Sequence, residues 1–300
     1  MKRKEEQSNV IAVVGTTASG KSSLAVEIAR LIGGEIISAD SRQVYTGLNI
    51  GTGKITKREM RGVSHHLLDV ANPKRMMSVV QYERLATRAI SDILKRGKVP
   101  IICGGTGLYF DAVLTNTSFP EVPPNTKLRH KLEKLPAEKL FEKLKMLDPA
   151  RAQTIDPKNP RRLIRAIEIV KALGSVPART PAVERYNTLY IGLTLGKEDL
   201  SERIHTRLLA RMRSGMIAEA MKLHERGLSW KRMEALGLEY RFLAQFLQGK
   251  ISKKEMLDLL EIAIRQYSKR QMVWFMRNER IKWYRPAERG KILSELKRFL

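Results

Sequence analysis

Residues 9–14, Asn9-Val10-Ile11-Ala12-Val13-Val14, run straight into Gly15-Thr16-Thr17-Ala18-Ser19-Gly20-Lys21-Ser22, an apolar strand entering the spacing GxxxxGK(S/T). Few folds accept that string. Its glycines let the backbone curl around an anion so that successive N–H groups point inward; Lys21 adds a mobile positive charge, and the Ser22 hydroxyl is placed to hold Mg²⁺. Residues 23–32 follow with helical apolar spacing and stop at Gly33-Gly34, as a strand–loop–helix phosphate site requires. The bound group is then a di- or triphosphate. The competing reading is a serine-rich turn between a strand and a helix.

The rest of the first third extends the same pattern. Residues 35–40 read as a second buried strand ending in the carboxylate of Asp40, and residues 99–107 as a third strand running into a glycine turn, with a helix over 78–96 before it. Strand, helix, strand at this spacing predicts a doubly wound parallel α/β sheet. Its ligands belong at the carboxyl ends of the strands, where Gly15, Asp40 and Gly104 all fall.

From about residue 114 the texture changes. A proline-rich linker at 118–125 precedes helical segments at 126–135, 137–147 and 160–173, a proline-containing loop at 176–181, and a further core strand at 188–195. From Lys197 onward the chain reads as helical, with no clear strand signal. The expected architecture is therefore α/β: a P-loop NTPase-like parallel sheet core built from residues 1–113 and 186–300, with an all-helical insertion domain at 114–185 and a helical C-terminal region.

Charge narrows the choice of partner. The chain has 56 Lys plus Arg against 31 Asp plus Glu, a formal net charge of +25; residues 1–50 are nearly balanced at 6 basic and 5 acidic, whereas residues 201–300 carry 23 and 11. Such an excess points to a polyanion, nucleic acid first and an anionic membrane surface second, against the plainer reading of a solvated basic surface. No apolar run approaches the roughly 20 residues of a membrane span, and the stub at 1–8 leads into a strand too short for a signal sequence. The single cysteine, Cys103, excludes an intramolecular disulfide and a multi-cysteine metal site, and fits a reducing cytoplasm.

Several side chains have open roles on residue chemistry alone. Asp40 could hold Mg²⁺, cap a helix starting near Ser41, or, with Ser41-Arg42-Gln43-Val44-Tyr45 after it, face an unstacked base. Arg161 and Arg165 share a helical face at i, i+4 beside Arg162, either solvated or meeting phosphates. Arg270, Trp274 and Arg277 share another face, suited to RNA or to Trp274 packing in the core under arginine stems. His65 and His66 are adjacent and lack a third ligand at zinc spacing, which favours packing or RNA contact, with Asp69 as a hydrogen-bond partner.

Six blocks taken together are more specific: GTTASGKS at 15–22, ISADSRQVY at 37–45, HHLLD at 65–69, GGTGLYF at 104–110, DPARAQTIDPKNPRRLIRAIE at 148–168 and KRQMVWF at 269–275. In order and spacing the chain resembles the bacterial tRNA dimethylallyltransferase (tRNA isopentenyltransferase) family along nearly its whole length. The resemblance implies transfer of a dimethylallyl group from dimethylallyl diphosphate to the exocyclic amine of the adenosine 3′-adjacent to the tRNA anticodon, with Mg²⁺ as cofactor.

By the same resemblance Asp40 matches the general base and Thr17 a threonine orienting the reacting groups. Gly15, Thr16, Thr17, Ala18, Ser19, Gly20, Lys21, Ser22 and Arg207 match the diphosphate site. Asp40, Ser41, Arg42, Gln43, Thr106 and the stretch Arg161, Arg162, Leu163, Ile164 and Arg165 match tRNA contacts. The chain departs from the family pattern at Thr16, usually proline; Asn159, commonly aspartate; Gly237-Leu238-Glu239-Tyr240, more often GYKE; and Arg211, usually methionine. A monomer is the expected state. A P-loop small-molecule kinase would explain residues 15–22 and 161–165 but not the charge, and an RNA-binding module would explain the charge but leave Thr17 and Asp40 idle.

Overall fold

Four largely buried strands and two short edge strands form a six-stranded sheet: β1 (Asn9–Gly15), β2 (Glu35–Ala39), β3 (His65–His66), β4 (Pro100–Gly104), β5 (Asn187–Leu193) and β6 (Lys282–Tyr284), in the order β3-β2-β4-β1-β5-β6. Every neighbouring pair is parallel. The computed structural model describes residues 7–178 and 182–300. The start of the basic stub, 1–6, and the end of the proline loop, 179–181, lie outside them.

β1 shows why such a sheet must be covered twice: Val10, Ala12 and Val14 pack into one apolar cluster, Ile11 and Val13 into another on the opposite face. Successive strand side chains point to opposite faces, so a strand apolar at every position needs layers on both sides.

The helices in chain order are α1 (Lys21–Ile32), α2 (Lys57–Met60), α3 (Val79–Lys95), α4 (Gly107–Leu114), α5 (Thr126–Leu132), α6 (Ala137–Leu147), α7 (Pro149–Thr154), α8 (Pro160–Leu173), α9 (Lys197–Arg213), α10 (Met216–Glu225), α11 (Trp230–Leu236), α12 (Leu238–Leu247), α13 (Lys253–Phe275) and α14 (Arg289–Phe299). Their ends carry ordinary signals. Ser78 opens α3 and Ser252 opens α13 with reciprocal capping boxes, and Gly33 closes α1 in the left-handed conformation, each satisfying backbone groups that the helix leaves unpaired.

The chain divides into two units, one of residues 1–116 and 183–300 and the other of 117–182. The smaller unit is helical, with its own core of Leu132, Leu140, Leu144, Leu163 and Ile167. Inside it, buried Glu168 accepts hydrogen bonds from Arg129 Nη2 at 2.6 Å and from the Asn125 amide at 2.8 Å.

Three local expectations are corrected. The C-terminal region holds a strand, β6, which is short, half polar and at the sheet edge, so it lacks the apolar run that marks a central strand. The helix expected over 126–135 stops at Leu132, because Pro136 disfavours helical backbone just before it. No helix starts near Ser41, where the backbone makes turns.

Glu35 at the start of β2 is 3% exposed and is surrounded by Arg96, Lys98 Nζ at 2.8 Å and His66 Nε2 at 2.8 Å. The Arg96 hydrogen bond is the main cause holding its carboxyl far below the usual range, against the opposing effect of burial. Because the folded-state pKa is depressed, the stabilisation is complete above the unfolded carboxylate range and is lost as pH falls through and below it. Glu35→Gln should therefore cost about 2 kcal/mol at pH 7. In thermal unfolding the gap from the parent should narrow steadily below about pH 4.

Candidate active site

Parallel pairing brings three loops to the carboxyl end of the sheet. Val14 of β1 and Ala39 of β2 both stand opposite Gly104 of β4, so the phosphate loop, the Asp40 turn and the glycine turn after β4 leave side by side. Close approach explains the glycines. A Cβ at Gly104 would lie 2.1 Å from the Ala39 carbonyl oxygen, and one at Gly15, whose φ is +152°, would lie 2.7 Å from the Leu193 carbonyl oxygen, distances that backbone cannot yield.

The loop itself is poised for an anion. Gly20 (φ 94°) and Ala18 (φ 63°) both adopt positive φ, which turns the backbone into the start of α1. Lys21 Nζ donates to the Thr16 carbonyl at 3.0 Å. Burial pulls the Lys21 pKa below its usual value, while Cys103 and Asp40 oppose the fall. The hydroxyls of Thr16 and Ser19 are buried without a partner. Ser22 is exposed at the helix start, near Cys103, whose thiol burial pushes up to about 11.

Arg207 on α9 completes the cationic side. Its Nη2 is 3.2 Å from where a Gly53 Cβ would stand, and it makes no hydrogen bond or ion pair to any described residue. Desolvation first and the neighbouring Arg211 second lower its pKa, and its charge is felt by Lys21. Lys21 feels Asp40, and Arg207 feels Glu59 and Glu239, but neither cation is tied into an ion pair with a described residue, and cations gathered this way hold an attraction for a polyanion.

Asp40 faces them. Its Oδ1 accepts from the amides of Arg42 at 2.8 Å and Gln43 at 3.2 Å, while its Oδ2 has no protein donor among the described residues. The carboxylate therefore caps a turn rather than a helix and keeps one oxygen for a ligand. Thr106 Oγ1 accepts from the Ser41 amide at 3.0 Å. Gln43 turns inward, its Nε2 donating to the carbonyls of Thr52 and Gly53, both at 3.4 Å.

α13 supplies two residues, Tyr267 and Gln271, to which residue chemistry and spacing gave no role. Together with Trp274 they stand at i, i+4 and i+7 and meet the glycine turn in succession. Tyr267 lies beside Thr106, and burial raises its pKa to about 12. Cβ atoms at Gly105 and Gly107 would each lie 2.1 Å from Gln271 and Trp274 respectively. The available signal was the KRQMVWF block, where Gln271 lies one position away from the face that carries Arg270. Trp274 packs against Gly107, and Arg277 lies over its ring at 4.1 Å.

The remaining residues expected to contact tRNA separate by environment. In α8, Arg161 and Arg162 are exposed, but Leu163 is fully buried and Ile164 is 7% exposed in the helical unit's core. Those two cannot present side chains to tRNA, a correction that follows from their phase on the helix. Arg165 is half-buried and donates to Glu168 at 3.5 Å and to the Pro120 carbonyl at 3.3 Å. Asp69 pairs with Lys54 at 2.6 Å rather than with the histidines; His66 is held by Glu35, and His65 Nδ1 lies 2.9 Å from the Val63 carbonyl.

The departures from the family pattern also find partners. Arg211 Nη1 donates to Glu239 at 2.9 Å and to the Gly51 carbonyl at 2.8 Å. Two unusual residues thus form one ion pair under the loop that faces Arg207. Tyr240 donates to Glu219, which also accepts from the amides of Asn49, Ile50 and Gly51. Asn159 caps α8 by accepting from the Arg162 amide at 3.2 Å, the job an aspartate would do.

Comparison with known proteins identifies the family. Residues 43–279 match the family described as IPP transferase. The chain is 45% identical over 286 residues to tRNA dimethylallyltransferase 2 of Treponema denticola, covering 92% of this chain and 94% of the relative. It is 39% identical over 280 residues to the tRNA dimethylallyltransferase of Anoxybacillus flavithermus, covering 92% and 89%. Among solved structures, the full-length tRNA isopentenylpyrophosphate transferase of Bacillus halodurans matches with a TM-score of 0.70 at 38% identity, covering 93% and 90%. A eukaryotic dimethylallyltransferase acting on tRNA matches with a TM-score of 0.77 at 28% identity, covering 89% and 70%.

Proposed function

The chain belongs to the IPP transferase family and is a tRNA dimethylallyltransferase, and from that premise we propose how its residues divide the reaction. The donor is dimethylallyl diphosphate. The exocyclic amine of the adenosine 3′-adjacent to the anticodon attacks the allylic carbon, the carbon–oxygen bond breaks, diphosphate leaves, and Asp40 Oδ2 takes the amine proton. The observation that carries this reading is an unpartnered carboxylate oxygen beside a cationic loop with no anion of its own.

Loop N–H groups, Lys21 and Arg207 stabilise negative charge as it grows on the leaving diphosphate. Thr17 stands between the two substrates and orients them. Ser41, Arg42 and Thr106 border the adenosine, with Gln43 supporting their turn from below. Among the described residues no group of three His, Cys, Asp or Glu side chains could hold a metal. The donor set instead fits Mg²⁺ carried by the diphosphate, with the Ser22 hydroxyl as protein ligand and the remaining positions left to phosphate and water. Bound there, Mg²⁺ would neutralise leaving-group charge.

The helical unit and the basic C-terminal region bind tRNA, and the enzyme works as a monomer in the cytoplasm. Among the described residues no helix is long and apolar enough to cross a membrane. Replacing the exposed Arg161 and Arg162 together with Ala should weaken tRNA binding and lower the slope of its salt dependence by about one unit per lost phosphate contact. Binding of dimethylallyl diphosphate should stay at the parent level. Parallel salt plots for parent and double mutant would make these arginines a solvated helix face.

The test of the activity is mass analysis of nucleosides from tRNA incubated with the protein, dimethylallyl diphosphate and Mg²⁺. An adenosine carrying one added dimethylallyl group is expected. Phosphoryl transfer from ATP with no prenylated nucleoside would support the kinase reading instead.

A further inference from the structure

Gln271 is 5% exposed, yet both ends of its amide are used. Its Oε1 accepts from the Thr17 amide at 2.8 Å, and its Nε2 donates to the Gly105 carbonyl at 2.9 Å. One partner belongs to the phosphate loop after β1, the other to the turn after β4. From that turn the connection continues: Thr106, the next residue, accepts from the Ser41 amide, and Ser41 follows Asp40. A short chain of hydrogen bonds thus joins the leaving-group cradle to the proton acceptor.

The chemistry of the bridge admits few side chains. Thr17 offers a donor and Gly105 an acceptor, so the bridging group must accept at one atom and donate at another. A glutamine amide does both; a carboxylate accepts only and would face the Gly105 carbonyl with like partial charge, and an alkyl side chain does neither. The contact also takes the Thr17 N–H out of the set that can point at phosphate. Glycine at position 105 leaves room for it, since a Cβ there would lie 2.1 Å from Gln271 Nε2.

We propose that Gln271 is a positioning residue that holds the phosphate loop and the turn at residues 105–106 at one fixed separation, bringing the allylic carbon and the adenosine amine into line. It touches neither substrate and acts through backbone. Both tethered segments are glycine-rich and lie beyond the ends of their strands, where the sheet ladder no longer sets their spacing. In-line displacement is steep in geometry, and a displacement of about 1 Å can cost 10²-fold in rate.

The inference rests on the prenyl-transfer reading above, so each variant is scored against the parent protein assayed in parallel; a parent without prenyl transfer would sink that reading and not this one alone. Single-turnover rates, equilibrium binding of tRNA and of dimethylallyl diphosphate, and thermal midpoints are measured for the parent, Gln271→Leu and Gln271→Glu. The expected result is a rate lowered about 10- to 100-fold, with both dissociation constants within about threefold and a cooperative unfolding transition retained. A parent-like rate overturns the proposal, as does a loss carried wholly by the affinity of either substrate. If Gln271→Leu and Gln271→Glu do not fold, Gly105→Ala decides, because it leaves Gln271 in the chain and displaces only its amide. A tenfold loss of single-turnover rate with both affinities kept supports the bridge, and a parent-like rate overturns it.

Discussion

Asp40→Asn is expected to lower the single-turnover rate of prenyl transfer by about 10²- to 10⁴-fold while leaving tRNA affinity within a few-fold of the parent. Asparagine is the sharper probe than alanine here. Oδ1 accepts from the Arg42 and Gln43 amides, and an asparagine carbonyl can go on accepting them, so the turn survives while the proton acceptor is removed. Asp40→Ala loses both and should be at least as slow. A near-normal single-turnover rate in Asp40→Asn would take Asp40 out of proton transfer and leave it only the work of shaping the turn.

Lys21→Ala should lower the rate of the chemical step by about 10²- to 10³-fold, the cost of removing one preorganised stabiliser of charge that appears in the transition state. Its ammonium rests on the Thr16 carbonyl, near the partnerless hydroxyls of Thr16 and Ser19, and needs little movement to reach a phosphate. The KM for dimethylallyl diphosphate should also rise, because the ground-state diphosphate is already charged, whereas tRNA binding should hold. Ser22→Ala should show the smaller loss and a shifted Mg²⁺ dependence. Unchanged kinetics toward dimethylallyl diphosphate in both variants would mean that this loop serves another ligand.

Much of this site is legible in the chain because its chemistry is local. A phosphate loop needs its glycines, lysine and serine within eight residues, and the strand before it and helix after it are set by apolar spacing over a few turns. The same holds for α3 and α8, whose apolar faces and N-caps, Ser78 and Asn159, lie within their own segments, for the apolar face of α6, and for the parallel sheet, since alternating strands and helices leave little other topology. Asp40 at a strand end was visible too, though its role stayed open among metal, cap and base.

Contacts between distant segments were decided only by the tertiary structure. Gln271 meets Thr17 across 254 positions and Gly105 across 166, and no periodicity or spacing rule links residues that far apart. The KRQMVWF block showed a helix, but its phase follows from what packs against it: Gly105 and Gly107 admit Gln271 and Trp274, leaving Arg270 and Arg277 outside. Leu163 and Ile164 sit among arginines in the sequence, and the helical core takes them inward. Arg211 and Glu239 look like two unrelated departures until the fold joins them in one ion pair. β6 shows the same limit for backbone, since three residues at a sheet edge pair because β5 offers a free ladder, and so short a run carries no alternation to read. The residues that bind charge are thus legible in order along the chain, while those that hold the two substrates' loops together depend on packing between segments far apart in it.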